Sequence, residues 1–429
     1  MRRRVATGTS PADARHHISM ALTAAVTLIA SWFAGTVYLL MPTLALRCLR
    51  DLVRSKRPII VPPGFRWWLA FLGWSFASGM QLRAPDRILA FAYRGLMYLA
   101  ATAIFVWLYN QQRETHKVES RVSSVILGFW LALVVGGLAG IVFAGREFTT
   151  LFSMMLPDSL GETRFIRDIT TARLSYVTRF LGFPAARPTA PFAYTNEWAS
   201  NFVLLSVAVG GLALSRMGRH RGLLLGIAVA AVLPFVYSLS RAAWATAILA
   251  AFLGCLGLLK MSQVSPRAVG RFLLGLLLVV VVLTRLGGLI DDRLATGHSD
   301  EARTARAGEA LGRVQESPLI GFGAPLPPES GVGPSVGTHG QVWLVIFSSG
   351  FVGAAFFAIW WGCVLWRCRR LRNVTELVAA TTVLVALAQS PFYEMLPFQL
   401  GLLMTLAALA FRGPECRNVV LFNPYRGSF

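Results

Sequence analysis

Apolar residues fill long, nearly uninterrupted stretches at about 18–46, 67–82, 87–109, 122–144, 197–216, 222–239, 241–260, 271–286, 340–367, 374–389 and 396–411. At 1.5 Å of rise per residue, a helix of about 20 residues crosses roughly 30 Å of hydrocarbon. These runs are continuous, whereas the strands of a membrane barrel alternate apolar with polar positions. Lipid offers no partners to backbone amides, so a continuous apolar run is read as a helix that satisfies its own backbone. The pattern predicts an all-α integral membrane protein of eleven or twelve transmembrane helices, a single polytopic domain over residues 1–429. The first run is long for one crossing and short for two, and Pro42 is the residue placed to break it.

Composition agrees: 55% of residues are hydrophobic, 14% are charged and mean hydropathy is +0.58. Forty-one basic residues against 20 acidic ones give +21, and Lys56, Lys117 and Lys260 are the lysines, so arginine dominates. Basic clusters occupy every second loop: Arg47 to Arg57, Arg113 to Arg121, Arg216 to Arg221, Lys260 to Arg271, Arg367 to Arg372, and Arg412 with Arg417. The positive-inside rule places those loops and the C-terminus in the cytoplasm and the alternate loops outside. The basic N-terminal tail before the first run is read as retained and cytoplasmic, which favours twelve crossings. The arginine excess is read either as membrane anchoring or as a demand for planar, bidentate phosphate binders, and no nucleic-acid partner is expected. Cys48, Cys255, Cys363, Cys368 and Cys416 show neither a disulfide framework nor zinc-ligand spacing.

Two segments on the outward side are long, 145–196 and 287–339. In the first, Phe165, Ile166, Ile169, Val177 and Phe180 interleave with Arg164, Arg167, Arg173 and Arg179, predicting an amphipathic helix from Arg164 to Leu181 that lies on the membrane. In the second, Ser299 or Asp300 is placed to cap a helix through Glu301 to Gln315 that carries Arg303, Arg306 and Arg313 on a shared face and ends at Pro318. These outward arginines run against the positive-inside rule. Most are expected to meet solvent or lipid headgroups. Trp67, Trp68, Trp198, Trp244 and Trp343 are expected to be interfacial anchors.

Four patterns converge on the same predicted side: T-N-E-W-A from Thr195, S-L-S-R-A-A-W from Ser238, S-P-L-I-G-F-G from Ser317, and T-H-G-Q-V-W-L from Thr338. The last carries His339 at the opening of a span. A neutral imidazole takes up a proton near physiological pH. Arg241 sits at headgroup depth, where a guanidinium binds phosphate bidentately. At these residues the chain resembles the O-antigen ligase and Wzy-type polymerase superfamily of bacterial membrane glycosyltransferases. That family shows an N-x-x-A span start, an S-R-[GA] turn, a P-L-x-G-x-G outer loop, a His that opens a span and a downstream G-x-x-G. Asn196 and Ala199, Ser240 and Arg241, Pro318 to Gly323, His339, and Gly350 to Gly353 match in order. The family's His is often followed by Asn, where Gly340 stands here.

The resemblance implies a type C glycosyltransferase-like architecture. It implies an inverting, metal-independent transfer of a glycan from a polyprenyl diphosphate carrier to an acceptor hydroxyl, at the extracytoplasmic face of a bacterial plasma (inner) membrane. His339 and Arg241 would be the catalytic residues, with Asn196, Ser240, Arg303 and Arg306 binding substrate and no cofactor. The donor, a glycan or lipid-linked acceptor, and membrane lipids are the expected partners. Asp291 and Asp292, an outward acidic pair, are read as a solvated turn, His298 as loop-exposed, and Glu197, Glu394 and Tyr194 as candidate sugar contacts. Ligase and polymerase share this apparatus. The alternative from another class is a transporter or flippase of lipid-linked sugars, which needs ionisable residues and broken helices deep in the membrane. Arg94 is the clearest ionisable residue of that kind.

Overall fold

The computed structural model describes residues 11–82, 84, 86–111, 115–157, 164–180, 183–213, 220–271, 274–275, 308–326, 336–337, 340–412 and 418–422. The chain is an all-α integral membrane protein, with five helices among the described residues long and apolar enough to span a bilayer: Ala14–Ala34, Arg87–Tyr109, His116–Val142, Arg241–Lys260 and Gln341–Cys368. The apolar helices Arg221–Tyr237, Val374–Gln389 and Phe398–Phe411 are shorter. Chain contacts separate into two compact units, Met1–Leu40 with Gln112–Ala243, and Met41–Gln111 with Trp244–Phe429.

The first unit is built on α1 (Pro11–Ala34), which packs along α5 (Thr115–Val142). Lipid-exposed side chains gain nothing by leaving lipid for a protein interior that is equally apolar, so close packing and polar contacts must join the helices. Both are present. Gly128 lets α5 approach the α1 backbone at Ala21. Buried His17 is held through Nδ1 by Ser124 Oγ at 2.7 Å and through Nε2 by Ser120 Oγ at 2.8 Å. The pattern then leaves the membrane helices for β2 (Glu147–Phe148), α6 (Leu151–Met155), α7 (Arg164–Thr170), β3 (Ala172–Arg173) and the hairpin of β4 (Ser175–Phe180) with β5 (Phe183–Pro188). It returns in α8 (Thr195–Ala208), a π-helical turn Val209–Ala213, and α9 (Arg221–Tyr237).

The amphipathic helix expected from Arg164 to Leu181 is helical only to Thr170. Beyond it burial alternates along S-Y-V-T-R-F with the period of a strand, and the residues pair in antiparallel register with β5, Tyr176 opposite Arg187. The β-branched run Ile169, Thr170, Thr171 favours that exit from the helix. The break in the first apolar run lies at Gly35, with φ of 79°, followed by a 3₁₀ turn Val37–Leu39 and α2 (Leu40–Arg54). Pro42 does not make the break. It sits in the first turn of α2, where its missing amide costs nothing.

In the second unit, α3 (Phe65–Ala77) packs on α11 (Gln341–Cys368), and α4 (Asp86–Tyr109) on α13 (Phe398–Phe411), which also contacts α12 (Val374–Gln389). Phe65, Trp68, Phe71, Phe105 and Trp360 form its aromatic centre, with Phe65 stacked on Phe105 at 4.7 Å and Trp360 edge-on at 5.5 Å. The span that begins at α10 (Arg241–Lys260) has its first three residues in the first unit. A ribbon of β1 (Ile59–Val61) with β6 (Val419–Phe422) completes the second. Trp68 and Trp198 are core residues and not interfacial anchors. Each is fully buried, with its indole N–H satisfied, Trp68 by Thr102 Oγ1 at 2.8 Å and Trp198 by Leu133 O at 3.1 Å.

α11 is discontinuous. Gly350 has φ of 66° and ψ of −176°, so the helix stops and restarts there. A side chain at this position would collide with the Leu319 carbonyl as well as adopt a backbone conformation that L-residues avoid. Gly350→Ala is therefore expected to destabilise the protein by about 2 kcal/mol or more, read as a lower midpoint in thermal unfolding of the purified protein in detergent, whereas Gly362→Ala, on the same helix in open space, should be neutral.

Candidate functional site

In the first unit, α9 and α10 are joined by only Ser238, Leu239 and Ser240. Pro234 lies inside α9 and its carbonyl still accepts from the Ser238 amide at 2.9 Å, while Ser238 Oγ caps Phe235 O at 2.6 Å. Leu239 then takes φ of 51°, a left-handed conformation that costs a bulky residue about 1–3 kcal/mol and survives only where the surroundings enforce it. Arg187 of β5 is one enforcer: its Nε donates to Ser238 O at 2.9 Å. The result presents Ser240, buried, and Arg241, exposed, at the start of α10.

T-N-E-W-A forms the first turn of α8, entered from Tyr194 in extended conformation. Ser240 Oγ donates to Asn196 Oδ1 at 3.4 Å, so two predicted site residues 44 positions apart meet, with Arg241 next in the chain. Beside Asn196, the Glu197 carboxylate accepts a short hydrogen bond from Tyr38 Oη, which itself accepts from the Ala193 amide at 2.9 Å. Tyr194 Oη donates to Asp168 Oδ2 at 3.0 Å. Burial first, and the Asp168 carboxylate second, push the Tyr194 phenol upward, so it serves as a neutral donor. Arg173 is held by Glu147 at 2.8 Å and by Tyr176. Arg173 and Arg187 are thus committed to protein partners and are not lipid-facing.

A cation in the first turn of a helix opposes the helix dipole, whose N-terminus favours negative charge. Arg241 at the start of α10 gains nothing from its own helix. An incoming anion would be favoured by the guanidinium and by the helix terminus together.

The second unit holds the S-P-L-I-G-F-G stretch, within residues 317–325, in the break of α11. Phe322 N donates to Phe347 O at 2.9 Å, Gly323 N to Ser348 O at 2.8 Å, and Phe351 N to Pro318 O at 2.8 Å. Trp74 Nε1 serves both Leu319 O and Ser349 O at 3.0 Å. Arg87, 6% exposed, then grips the far side of the loop, Nε to Pro325 O at 3.1 Å and Nη2 to Phe322 O at 2.6 Å and to Ala324 O. At the start of α11, Gly340 has φ of 141° and lies against the Pro391 carbonyl, where an added Cβ would come within 2.6 Å. That approach explains why glycine, and not asparagine, follows His339. Gln341 fixes the opposite loop, its amide donating to Tyr393 O and its Oε1 accepting from Met395 N, both at 3.0 Å.

His339, Arg303 and Arg306 lie outside the described residues, as do His298, Asp291 and Asp292. Helix is seen over 308–314, with Arg313 and Glu309 3.9 Å apart. Among the described residues there is no group of three His, Cys, Asp or Glu side chains arranged to hold a metal ion.

Residues 226–358 match the family model described as O-antigen ligase. That stretch is similar to the O-antigen ligases. The match takes in the Ser238 to Arg241 turn, the 317–325 loop, the position of His339 and the break at Gly350. Asn196, Arg187, Arg87 and Arg94 fall before it. No curated protein matches the chain.

Sequence reasoning passed over Arg87 and grouped Arg187 with the outward arginines expected to meet solvent or lipid, because their ligands are backbone carbonyls, which leave no trace in residue type. Replacing Arg87 by Met would strand three carbonyls of the 317–325 loop, and a hydrogen bond to a charged group contributes about 1.5–3 kcal/mol. Amide hydrogen exchange at Phe322 and Gly323 is expected to accelerate by roughly 10- to 100-fold in Arg87→Met. Unchanged protection there would show that the loop holds its place without the guanidinium.

Proposed function

We propose that this protein transfers a glycan from a polyprenyl diphosphate carrier to an acceptor hydroxyl on the outer leaflet of a bacterial inner membrane, as a ligase or polymerase of lipid-linked saccharides. The similarity of residues 226–358 to the O-antigen ligases supports glycan transfer in a membrane. The observation that carries the finer reading is the meeting of Asn196 and Ser240 beside Arg241, at the start of α10.

In this proposal Arg241 binds the diphosphate and stabilises the charge that grows on it as the glycosidic bond breaks. Ser240 and Asn196 fix the carrier's position. His339 takes the acceptor proton, and Arg303 and Arg306 supply further positive charge to the leaving group. Attack from the face opposite the diphosphate inverts the anomeric carbon, with arginine in the role that a divalent cation fills elsewhere. A carrier or flippase would need a polar discontinuity deep in a span, and α11 has one at Gly350. Its freed backbone groups are closed by residues 317–325, so the break serves loop packing.

The test compares Arg241→Lys, Arg241→Ala and wild type in a transfer assay with a synthetic lipid-linked glycan. A point-charge ammonium does not reproduce a planar two-pronged contact, so Lys should be nearly as impaired as Ala, with losses of about 30- to 1000-fold. Wild-type turnover in the Lys variant would refute the assignment.

For His339, both Ala and Gln variants should lose transfer while still binding the carrier diphosphate, since the imidazole acts on the acceptor. A Gln variant with substantial activity would reduce the histidine to an orienting role. Retention of full activity by His339→Ala would remove it from the chemistry.

A further inference from the structure

Two arginines lie seven positions apart on one face of α4, and they have opposite fates. Arg87 is consumed by three carbonyls. Arg94, about 10 Å further along the axis, has a buried Nη1 with no hydrogen-bond partner and makes no ion pair among the described residues. A charged group left open at membrane depth is expensive and marks a function unless something else accounts for it. Arg94 lines a narrow cleft with Ser75, Gly95, Tyr98, Ser348 and Ser349, walled by Phe76, Phe91 and Leu344. Ser348 Oγ, also buried, is a second polar atom there without a partner. Ser75 and Ser349 share a hydrogen bond at 3.0 Å.

The inventory of this cleft is one-sided. It offers a guanidinium and hydroxyl donors, and Tyr98 Oη already receives Gln341 Nε2 at 3.3 Å. No carboxylate lines it. The carboxylate whose charge reaches Arg94 is Glu394, in the loop between α12 and α13, with no ion pair between the two. Burial pushes the Glu394 carboxyl up to about 7, against the opposing pull of Arg94. Near neutrality Glu394 therefore cancels only part of the Arg94 charge. Ser75, Arg94 and Tyr98 all lie outside the stretch that matches the O-antigen ligase family.

We infer that this cleft, within the second unit, is a binding site for a single phosphate-class oxyanion, held by Arg94 with the Ser348 and Ser75 hydroxyls. Its source is either the headgroup of a phosphorylated lipid or a free anion. The site does not depend on the role given to Arg241. Because Glu394 gains negative charge as pH rises through about 7, affinity for an anion whose own charge is constant should fall over that window.

Full-length protein in nanodiscs of neutral phosphatidylcholine would be titrated with sulfate, which does not change charge between pH 6 and 8, and separately with a short-chain polyprenyl monophosphate. The intrinsic fluorescence of Trp74, next to Ser75 in the chain, and calorimetry report binding. Arg94→Met should weaken binding by at least about 10-fold, the equivalent of one charge-assisted hydrogen bond. Ser348→Ala should weaken it less, and Glu394→Gln should abolish the loss of sulfate affinity between pH 6 and 8. The pH series is repeated in a His339→Ala background, so that imidazole titration does not enter. Arg94-dependent binding of sulfate assigns the cleft to free oxyanions, and Arg94-dependent binding of the lipid phosphate alone assigns it to a headgroup. Binding of neither, or equal binding by Arg94→Met, overturns the proposal and leaves the cleft to water. If Arg94→Met fails to assemble, wild-type behaviour of both Ser348→Ala and Glu394→Gln overturns it equally. Glycan transfer is assayed in parallel on the same preparations: loss of transfer in wild type would count against the proposed function, not against this site.

Discussion

Backbone amides and carbonyls inside a membrane must find partners in the protein itself, and that constraint decides where this chain is able to depart from helix. The break of α11 at Gly350 is the instructive case. Interrupting a helix frees carbonyls on one side and amides on the other. Phe347 and Ser348 carbonyls accept from Phe322 and Gly323, Ser349 O accepts from Trp74, and the Phe351 amide is taken up by Pro318. The loop and the break are thus one structure, since neither is tolerable without the other. Arg87 then locks the loop from its outer side, and the chain that leaves it leads on to His339 and the start of α11.

The first unit meets the same constraint by strain. A connection of three residues between two long apolar helices leaves no room for a relaxed turn, so Leu239 adopts the left-handed region. The strain is held in place by Arg187 through Ser238 O and by the α8 terminus through the contact of Ser240 with Asn196. Loss of either support would let the turn relax and move Arg241. This links the hairpin to the turn: β5 presents Arg187 to Ser238 O, and the alternation of S-Y-V-T-R-F keeps its partner strand in register.

Several helices were legible from the sequence almost residue for residue, because lipid makes a long apolar run a ready signal for a span, while run 271–286 lies largely outside the described residues. Run 87–109 became Asp86–Tyr109, and run 374–389 became Val374–Gln389. What failed lay outside lipid. From Arg164 to Leu181 the apolar residues satisfied helical spacing, but the same residues also alternate after Thr171, and tertiary pairing with β5 selected the strand. Pro42 was misread because a proline in the first turn of a helix does not interrupt it. Residues whose partners are side chains could be named from the sequence, as with Asn196 and Ser240, which meet. Those whose partners are carbonyls could not.

That last distinction also bears on why the chain holds 41 basic residues of which only Lys56, Lys117 and Lys260 are lysines. Cytoplasmic anchoring alone does not require arginine, since either cation satisfies the positive-inside bias. Holding several carbonyls at once does: Arg87 reaches Phe322, Ala324 and Pro325 from a single planar group, with geometry set by the fork. Lys260, by contrast, contacts the single carbonyl of Arg369 at 3.0 Å. An arginine committed in this way has surrendered its donors to the backbone and is unavailable to a substrate. Arginines without such a claim carry the open positive charge, and in the second unit Arg94 meets that description beside a cleft of hydroxyls. Sorting the arginines by whether the backbone has already taken their donors therefore separates scaffold from binding surface more sharply than their positions along the chain do.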